Sequence, residues 1–143
     1  MDAKRPRKTI MRNIVFQTGE YYHIFNRGVD KREVFSGAED YLRFLKSMRE
    51  FNVVEPIGSL YEKYLLDKKI NKKTDTEMLN VHNGRLASTK VLVKFIAYCL
   101  INNHYHFILK QRIDGGISEF MKRLSGGYTK YFNEKNKRTG SLF

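Results

Sequence analysis

Apolar residues along this chain change their spacing several times, and each change marks an element. Tyr21-Tyr22-His23-Ile24-Phe25 is aromatic and β-branched and stops at Asn26-Arg27-Gly28, which predicts a strand followed by a turn. From 38 to 51 the period becomes helical. Tyr41, Leu42, Phe44, Leu45, Met48 and Phe51 take one side, and Arg43, Lys46, Arg49 and Glu50 the other. Between Asn52 and Lys90 the pattern weakens: Leu60, Tyr61, Tyr64, Leu65 and Leu66 predict a short helix, and the polar run Asp67 to Glu77 a loop. Val91 to Ile101 is a continuous apolar run, too β-branched and short to prefer a helix. Asn102-Asn103 suits a tight turn, and His104 to Lys110 reads as the returning strand. This hairpin is predicted to be central, because its first arm is apolar on both faces. After Asp114-Gly115-Gly116, the residues Ile117, Phe120, Met121, Leu124, Tyr128, Tyr131 and Phe132 fall on one helical face. Gly126-Gly127 inside that helix predicts close packing or a bend.

The order strand, helix, insertion, hairpin, helix predicts an α+β domain. Its form is a ferredoxin-like or RRM-like antiparallel sheet with two main helices on one face. A fourth strand is expected from the insertion or from beyond residue 143. The predicted organisation is a basic N-terminal arm over 1–18, carrying Lys4, Arg5, Arg7, Lys8 and Arg12, and a domain over 19–143 with an insertion at about 53–90.

Charge changes the picture more than composition does. Among 143 residues, 27 Lys and Arg face 15 Asp and Glu, a net charge of +12 that attracts polyanions and makes nucleic acid the first partner to consider. No stretch approaches the roughly 20 apolar residues of a membrane span, so no membrane role is expected. The single cysteine, Cys99, excludes an internal disulfide and fits the cytoplasm; its apolar strand predicts a buried, inert thiol.

His104 and His106 are the sharpest candidate chemistry. Residues two apart on a strand project to the same face, where two neutral imidazoles can share a divalent cation and leave positions open for water or phosphate. Two exposed histidines with no ligand are the competing reading. A metal there would polarise a phosphodiester, and a tyrosine could attack phosphorus. Tyr128 and Tyr131 are available, although both lie on an apolar helical face; Tyr105 points away from the histidines by alternation. His23 could approach the pair if the first strand neighbours the hairpin, or be a hydrogen-bonded structural histidine, and His82 reads as an exposed residue of the insertion. Candidate phosphate contacts are Arg27, Lys31 and Arg32 in a basic turn, and Lys122, Arg123, Lys130, Lys135, Lys137 and Arg138 along and after the last helix. There is no Gly-rich phosphate loop, zinc-type cysteine set or serine elbow.

Several ordered motifs together resemble the REP-associated tyrosine transposases, of the single-tyrosine HUH transposase superfamily. They are Tyr22-His23-Ile24-Phe25-Asn26-Arg27-Gly28, Asp40-Tyr41-Leu42-Arg43-Phe44-Leu45, Ala97-Tyr98-Cys99-Leu100, Asn103-His104-Tyr105-His106-Phe107, and the tail from Phe120-Met121-Lys122-Arg123-Leu124 through Tyr128-Thr129-Lys130-Tyr131-Phe132-Asn133 to Gly140-Ser141-Leu142-Phe143. The resemblance runs from about Tyr21 to Phe143, apart from 53–90. It implies a homodimer that cleaves and rejoins single-stranded, hairpin-forming DNA through a 5′-phosphotyrosine, using Mg²⁺ or Mn²⁺ at His104 and His106. In that family the nucleophilic tyrosine follows the Gly-x-Leu-Phe motif, here Gly140-Ser141-Leu142-Phe143, on a later helix. The resemblance therefore assigns it to no residue of this sequence, and the third ligand, usually near it, is unassigned too. The rival expectation is a single-stranded nucleic-acid-binding module without catalysis. An RRM-type RNA binder is disfavoured, because the hairpin face offers histidines where stacking aromatics are expected.

Overall fold

The computed structural model describes residues 14–73 and 90–143, without the side chains of 70–73. The elements run β1 (Tyr21–Arg27), α1 (Ala38–Glu50), α2 (Leu60–Lys73), β2 (Val93–Ile101), β3 (His104–Gln111) and α3 (Gly116–Lys135). The three strands form one antiparallel sheet in the order β1-β3-β2. A strand that crosses over through a helix and leaves room for the next strand between the two is the split βαβ arrangement of a ferredoxin-like fold. The α+β expectation is met: α1 and α3 cover one face of the sheet, and among the described residues no element covers the other. Among the described residues there is no fourth strand. The arm residues 1–13, with Lys4, Arg5, Arg7, Lys8 and Arg12, and His82 in the insertion lie outside the described residues.

Three expectations are corrected here. The apolar run of β2 is at the sheet edge, not the centre, and β3 is the middle strand. The strand departs from regular register between Phe95 and Ala97, and Ile96, Tyr98 and Ile101 are exposed. Cys99 is exposed as well, not buried. The apolar composition of β2 thus does not reflect burial on both faces. In addition, α2 extends to Lys73, into the polar run expected to be loop.

Alternation on β3 builds the core. Tyr105, Phe107, Leu109 and Gln111 are fully buried on the helix side, meeting Phe44 of α1 and Phe120, Leu124 and Tyr128 of α3. Phe44 packs 5.1 Å from Tyr105 and 4.9 Å from Tyr128, ring centroid to centroid, the latter edge-on. Gln111 is a buried polar residue with both ends satisfied: its amide donates to the Phe16 carbonyl, and its oxygen accepts from the Ile117 N–H at the start of α3. One side chain thereby ties the segment before β1 to the helix after β3. Asn52 pairs like a strand residue with both backbone groups of Val93, donating to its carbonyl and accepting from its N–H.

The glycine pair in α3 resolves into close packing at one position. A Cβ on Gly127 would lie 2.7 Å from a carbon of the buried Phe51 ring, whereas at Gly126 nothing lies within 4 Å. Gly127→Ala is expected to destabilise the domain by about 1–2 kcal/mol, overpacking outweighing the helix-propensity gain. Gly126→Ala is expected to stabilise it by up to about 1 kcal/mol. Urea unfolding midpoints moving in opposite directions would verify this pair, and equal shifts would refute it.

Candidate active site and nucleic-acid face

The same alternation that buries Tyr105 and Phe107 puts His104 and His106 on the open face of the central strand. Their ring centroids are 5.1 Å apart. The register sets their neighbours: Arg27 lies across from His104, Phe25 across from His106, and Tyr21 across from Lys110. From the other side, Ile101 pairs with His104 and Cys99 with His106. The open face therefore carries Tyr21, His23, Phe25 and Arg27 from β1 beside the histidines of β3. Tyr21 is 57% exposed and Phe25 65%, with the Lys110 Nζ 5.0 Å from the Tyr21 ring centroid. Stacking aromatics are thus present on this face, contributed by β1, contrary to the expectation drawn from the hairpin alone.

The turn that leads into His104 is held from several directions. Asn102 O accepts from the N–H groups of Val34 and Phe35 at 2.7 and 2.9 Å, and Asn103 O accepts from Gly28 N–H at 2.9 Å. A Cβ on Gly28 would sit 2.4 Å from the Arg32 carbonyl oxygen, so this close approach needs glycine. The Asn103 side chain then reaches both ways. Its amide nitrogen donates to the Lys31 carbonyl at 3.4 Å, and its oxygen lies 2.6 Å from His104 Nδ1. An amide oxygen only accepts, so His104 carries its proton on Nδ1 and presents a free lone pair on Nε2.

His106 Nδ1 lies 2.9 Å from His23 Nε2. Partial burial, the neighbouring His104 and His23, and Arg27 hold the His106 imidazole below its ordinary value, so it is neutral at pH 7. Neutral imidazole is the protonation state a metal ligand requires. Among the described residues no three His, Cys, Asp or Glu side chains converge as a ligand set. The donor chemistry of the pair fits two positions on a divalent cation, with the others left to water, phosphate or a further group.

The two candidate tyrosines do not join this face. Tyr128 is fully buried on the helix side and donates its hydroxyl to the Val34 carbonyl at 2.6 Å. Burial, reinforced by Asp40, pushes its phenol far above the ordinary value, so it stays protonated. Tyr131 is half-buried on the same helix and donates to Asp40 Oδ1 at 2.9 Å; burial and that bond raise its phenol too. Both phenols are held in these bonds on the helix side, with the sheet between them and the histidines. Tyr105 is buried as alternation predicts, and burial raises its phenol.

The candidate phosphate contacts divide in the same way. Arg27 is exposed on the histidine face. Lys31 is exposed in a 3-10 turn over Val29–Lys31, and Arg32 donates to the Val29 carbonyl and pairs with Asp30 at 3.8 Å. On α3, Arg123 is bound to Glu119 and to the Val53 and Val54 carbonyls, and Lys135 to Glu39 and Asp40. Arg138 donates to Asn133 and to the Ser141 carbonyl. These three are engaged within the fold. Lys122, Lys130 and Lys137 are exposed, but on or just after α3, the helix packed against the opposite face of the sheet from the histidines.

Sequence reasoning reached the histidine pair but not what surrounds it. In the sequence His23 is open to two roles, the Asn103 side chain has no visible link to His104, and Phe25 and Tyr21 have no visible link to the histidines. A period of two counted from Tyr21 through Arg27 was the signal that could have grouped them.

Comparison with known proteins gives first the class, that of transposases. The chain belongs to the IS200-like transposase family: residues 61–142, more than half of its length, match the family described as Transposase IS200 like. The match runs from α2 through β2, β3 and α3 and so includes both histidines, and it also takes in residues 61–90 of the 53–90 segment, which the motif resemblance left out. No curated protein and no solved structure matches the chain. No helix among the described residues is long and apolar enough to cross a membrane.

Proposed function

We propose that this transposase acts on single-stranded, hairpin-forming DNA across the open face of its sheet. His104 and His106 would hold Mg²⁺ or Mn²⁺ at the scissile phosphate. The observation that carries the reading is the pair itself: two imidazoles side by side on the central strand, the nearer one with its Nδ1 fixed by Asn103 and its Nε2 free. Bound there, a divalent cation supplies Lewis-acid stabilisation of charge on the phosphodiester oxygens. The chain's own residues do the rest. Arg27 offers a phosphate contact beside His104, and Phe25 and Tyr21 offer ring faces on which unpaired bases stack. Cleavage and rejoining would pass through a phosphotyrosine, formed as a tyrosine oxygen attacks phosphorus and the 3′ oxygen leaves. A homodimer is supported by the open edge of β2, where Ile96 and Tyr98 are exposed. The motif set favours the REP-associated branch of the family and a cytoplasmic location.

A second reading has a specific observation in its favour. Tyr128 and Tyr131 are engaged on the helix side, and the tyrosine of the open face, Tyr21, lies across from Lys110, four residues along β3 from His106. In that reading the domain binds single strands without cutting them.

Both readings require single-strand binding on this face. Phe25→Ala is expected to weaken binding of a single-stranded oligonucleotide by about tenfold, the loss of one base–aromatic contact. Arg27→Ala is expected to weaken it and to flatten its salt dependence. Fluorescence anisotropy at several salt concentrations measures both. Equal affinity for blunt duplex and single strand, indifferent to Phe25, would argue against the face.

A further inference from the structure

We infer that His23 is a positioning residue for His106: it accepts the Nδ1 proton of His106 and so fixes the tautomer that turns His106 Nε2 outward. The inference rests on the proposed reading of the histidine pair as a metal site. It concerns a residue outside the matched 61–142 segment.

The geometry is specific. His23 on β1 sits diagonally across from His106 on β3, since His106 pairs with Phe25 and His23 with Ile108. The two nitrogens are 2.9 Å apart, the ring planes differ by 9°, and the centroids are 5.1 Å apart. That centroid separation is close to the nitrogen distance plus the two ring radii. The rings therefore lie edge to edge in nearly one plane, and the contact is an in-plane hydrogen bond. A cation cannot use both lone pairs in that arrangement, because they point at each other with no room between. His23 is thus not a ligand through this nitrogen. The bond needs a single proton. Placing it on His106 Nδ1 leaves His23 Nε2 as acceptor and His23 Nδ1–H toward solvent.

The companion histidine supports this direction. His104 Nδ1 faces Asn103 Oδ1 at 2.6 Å, and there the acceptor is fixed by chemistry. Both histidines then have Nδ1 engaged by a neighbour and Nε2 free, the outer arrangement that orients imidazole ligands and raises their basicity. Phe25 closes the cluster. Its ring stacks 5.8 Å from His23 and 5.9 Å from His106, restricting both imidazoles from one side. His23 itself is exposed and contributes nothing to the core, so its replacement leaves the fold intact.

The test uses metal-free and Mn²⁺-loaded protein. Long-range ¹H–¹⁵N correlation of the histidine rings in the metal-free chain is expected to show His106 as the Nδ1–H tautomer. His23→Ala is expected to release it to the Nε2–H form or a mixture. His23→Gln, whose amide oxygen can accept the same proton, is expected to keep the tautomer. Mn²⁺ affinity by calorimetry is expected to fall by about 10–100-fold in His23→Ala and to stay near wild type in His23→Gln. An unchanged His106 tautomer in His23→Ala, or an unchanged Mn²⁺ affinity, overturns the inference. A wild-type protein with the Nδ1–H tautomer fixed but no Mn²⁺ uptake overturns instead the metal reading on which it rests.

Discussion

Asp40→Ala is expected to destabilise the domain by about 3 kcal/mol, the usual cost of removing one partner from a buried, hydrogen-bonded charge pair. Asp40 is fully buried in the first turn of α1. Its Oδ2 accepts from the Ser36 N–H at 2.8 Å, and its Oδ1 accepts from Tyr131 at 2.9 Å and from Lys135 Nζ at 2.7 Å. One carboxylate thus ties the turn before α1 to its first turn and fastens α1 to α3 more than ninety residues away. Without it the Tyr131 hydroxyl and the Lys135 ammonium lose their shared acceptor, and the Ser36 N–H loses its own. Burial by itself would raise the Asp40 carboxyl. The bonds from Lys135, Ser36 and Tyr131 outweigh it and hold the group below its ordinary value. A depressed folded value means the stabilisation is present above the unfolded carboxylate value of about 3.9 and is lost as pH falls through the folded one. Wild-type stability should therefore drop below about pH 4, and Asp40→Asn should flatten that acid limb. Thermal melts from neutral to acid pH measure it; parallel curves for wild type and Asp40→Asn would exclude the role.

Much of this fold was legible because its two periods are clean. Alternation over His104 to Gln111 and the helical spacing from Ile117 to Phe132 reflect a strand and a helix each buried on one face, and burial is what periodicity records. The place of β2 was not legible. An apolar strand reads as central, yet Ile96, Tyr98 and Ile101 are exposed on an edge. Sequence pattern records which side chains are apolar, not the strand order that decides which of them are covered. The site was legible to the extent that one strand holds it. His104 and His106 lie two residues apart, whereas His23 joins them through a register between strands more than eighty residues apart. Asn103 shows the same limit: its turn propensity was evident, but its hold on His104 Nδ1 depends on the Lys31 carbonyl that orients its amide. The pairing of the last helix's cations was not legible, because charge in a sequence does not show partners, and Arg123, Lys135 and Arg138 are engaged within the fold.

The largest functional effect is expected at the histidine pair. Both side chains lie on the open face and take no part in the helix-side core, so alanine at both positions should leave melting temperature and circular dichroism close to wild type. On the proposed reading, removing both imidazoles should abolish the cation's stabilisation of the phosphodiester charge. An effect of about 4 kcal/mol corresponds to a roughly thousandfold loss of cleavage. The decisive measurement is formation of a covalent protein–DNA adduct with a labelled single-stranded hairpin in the presence of Mn²⁺, read on a denaturing gel. The account predicts an adduct with wild type that disappears without the metal and falls about a thousandfold in His104→Ala/His106→Ala. An adduct that forms equally in the double variant would contradict it, as would tight, salt-sensitive binding by wild type with no adduct at any Mn²⁺ concentration.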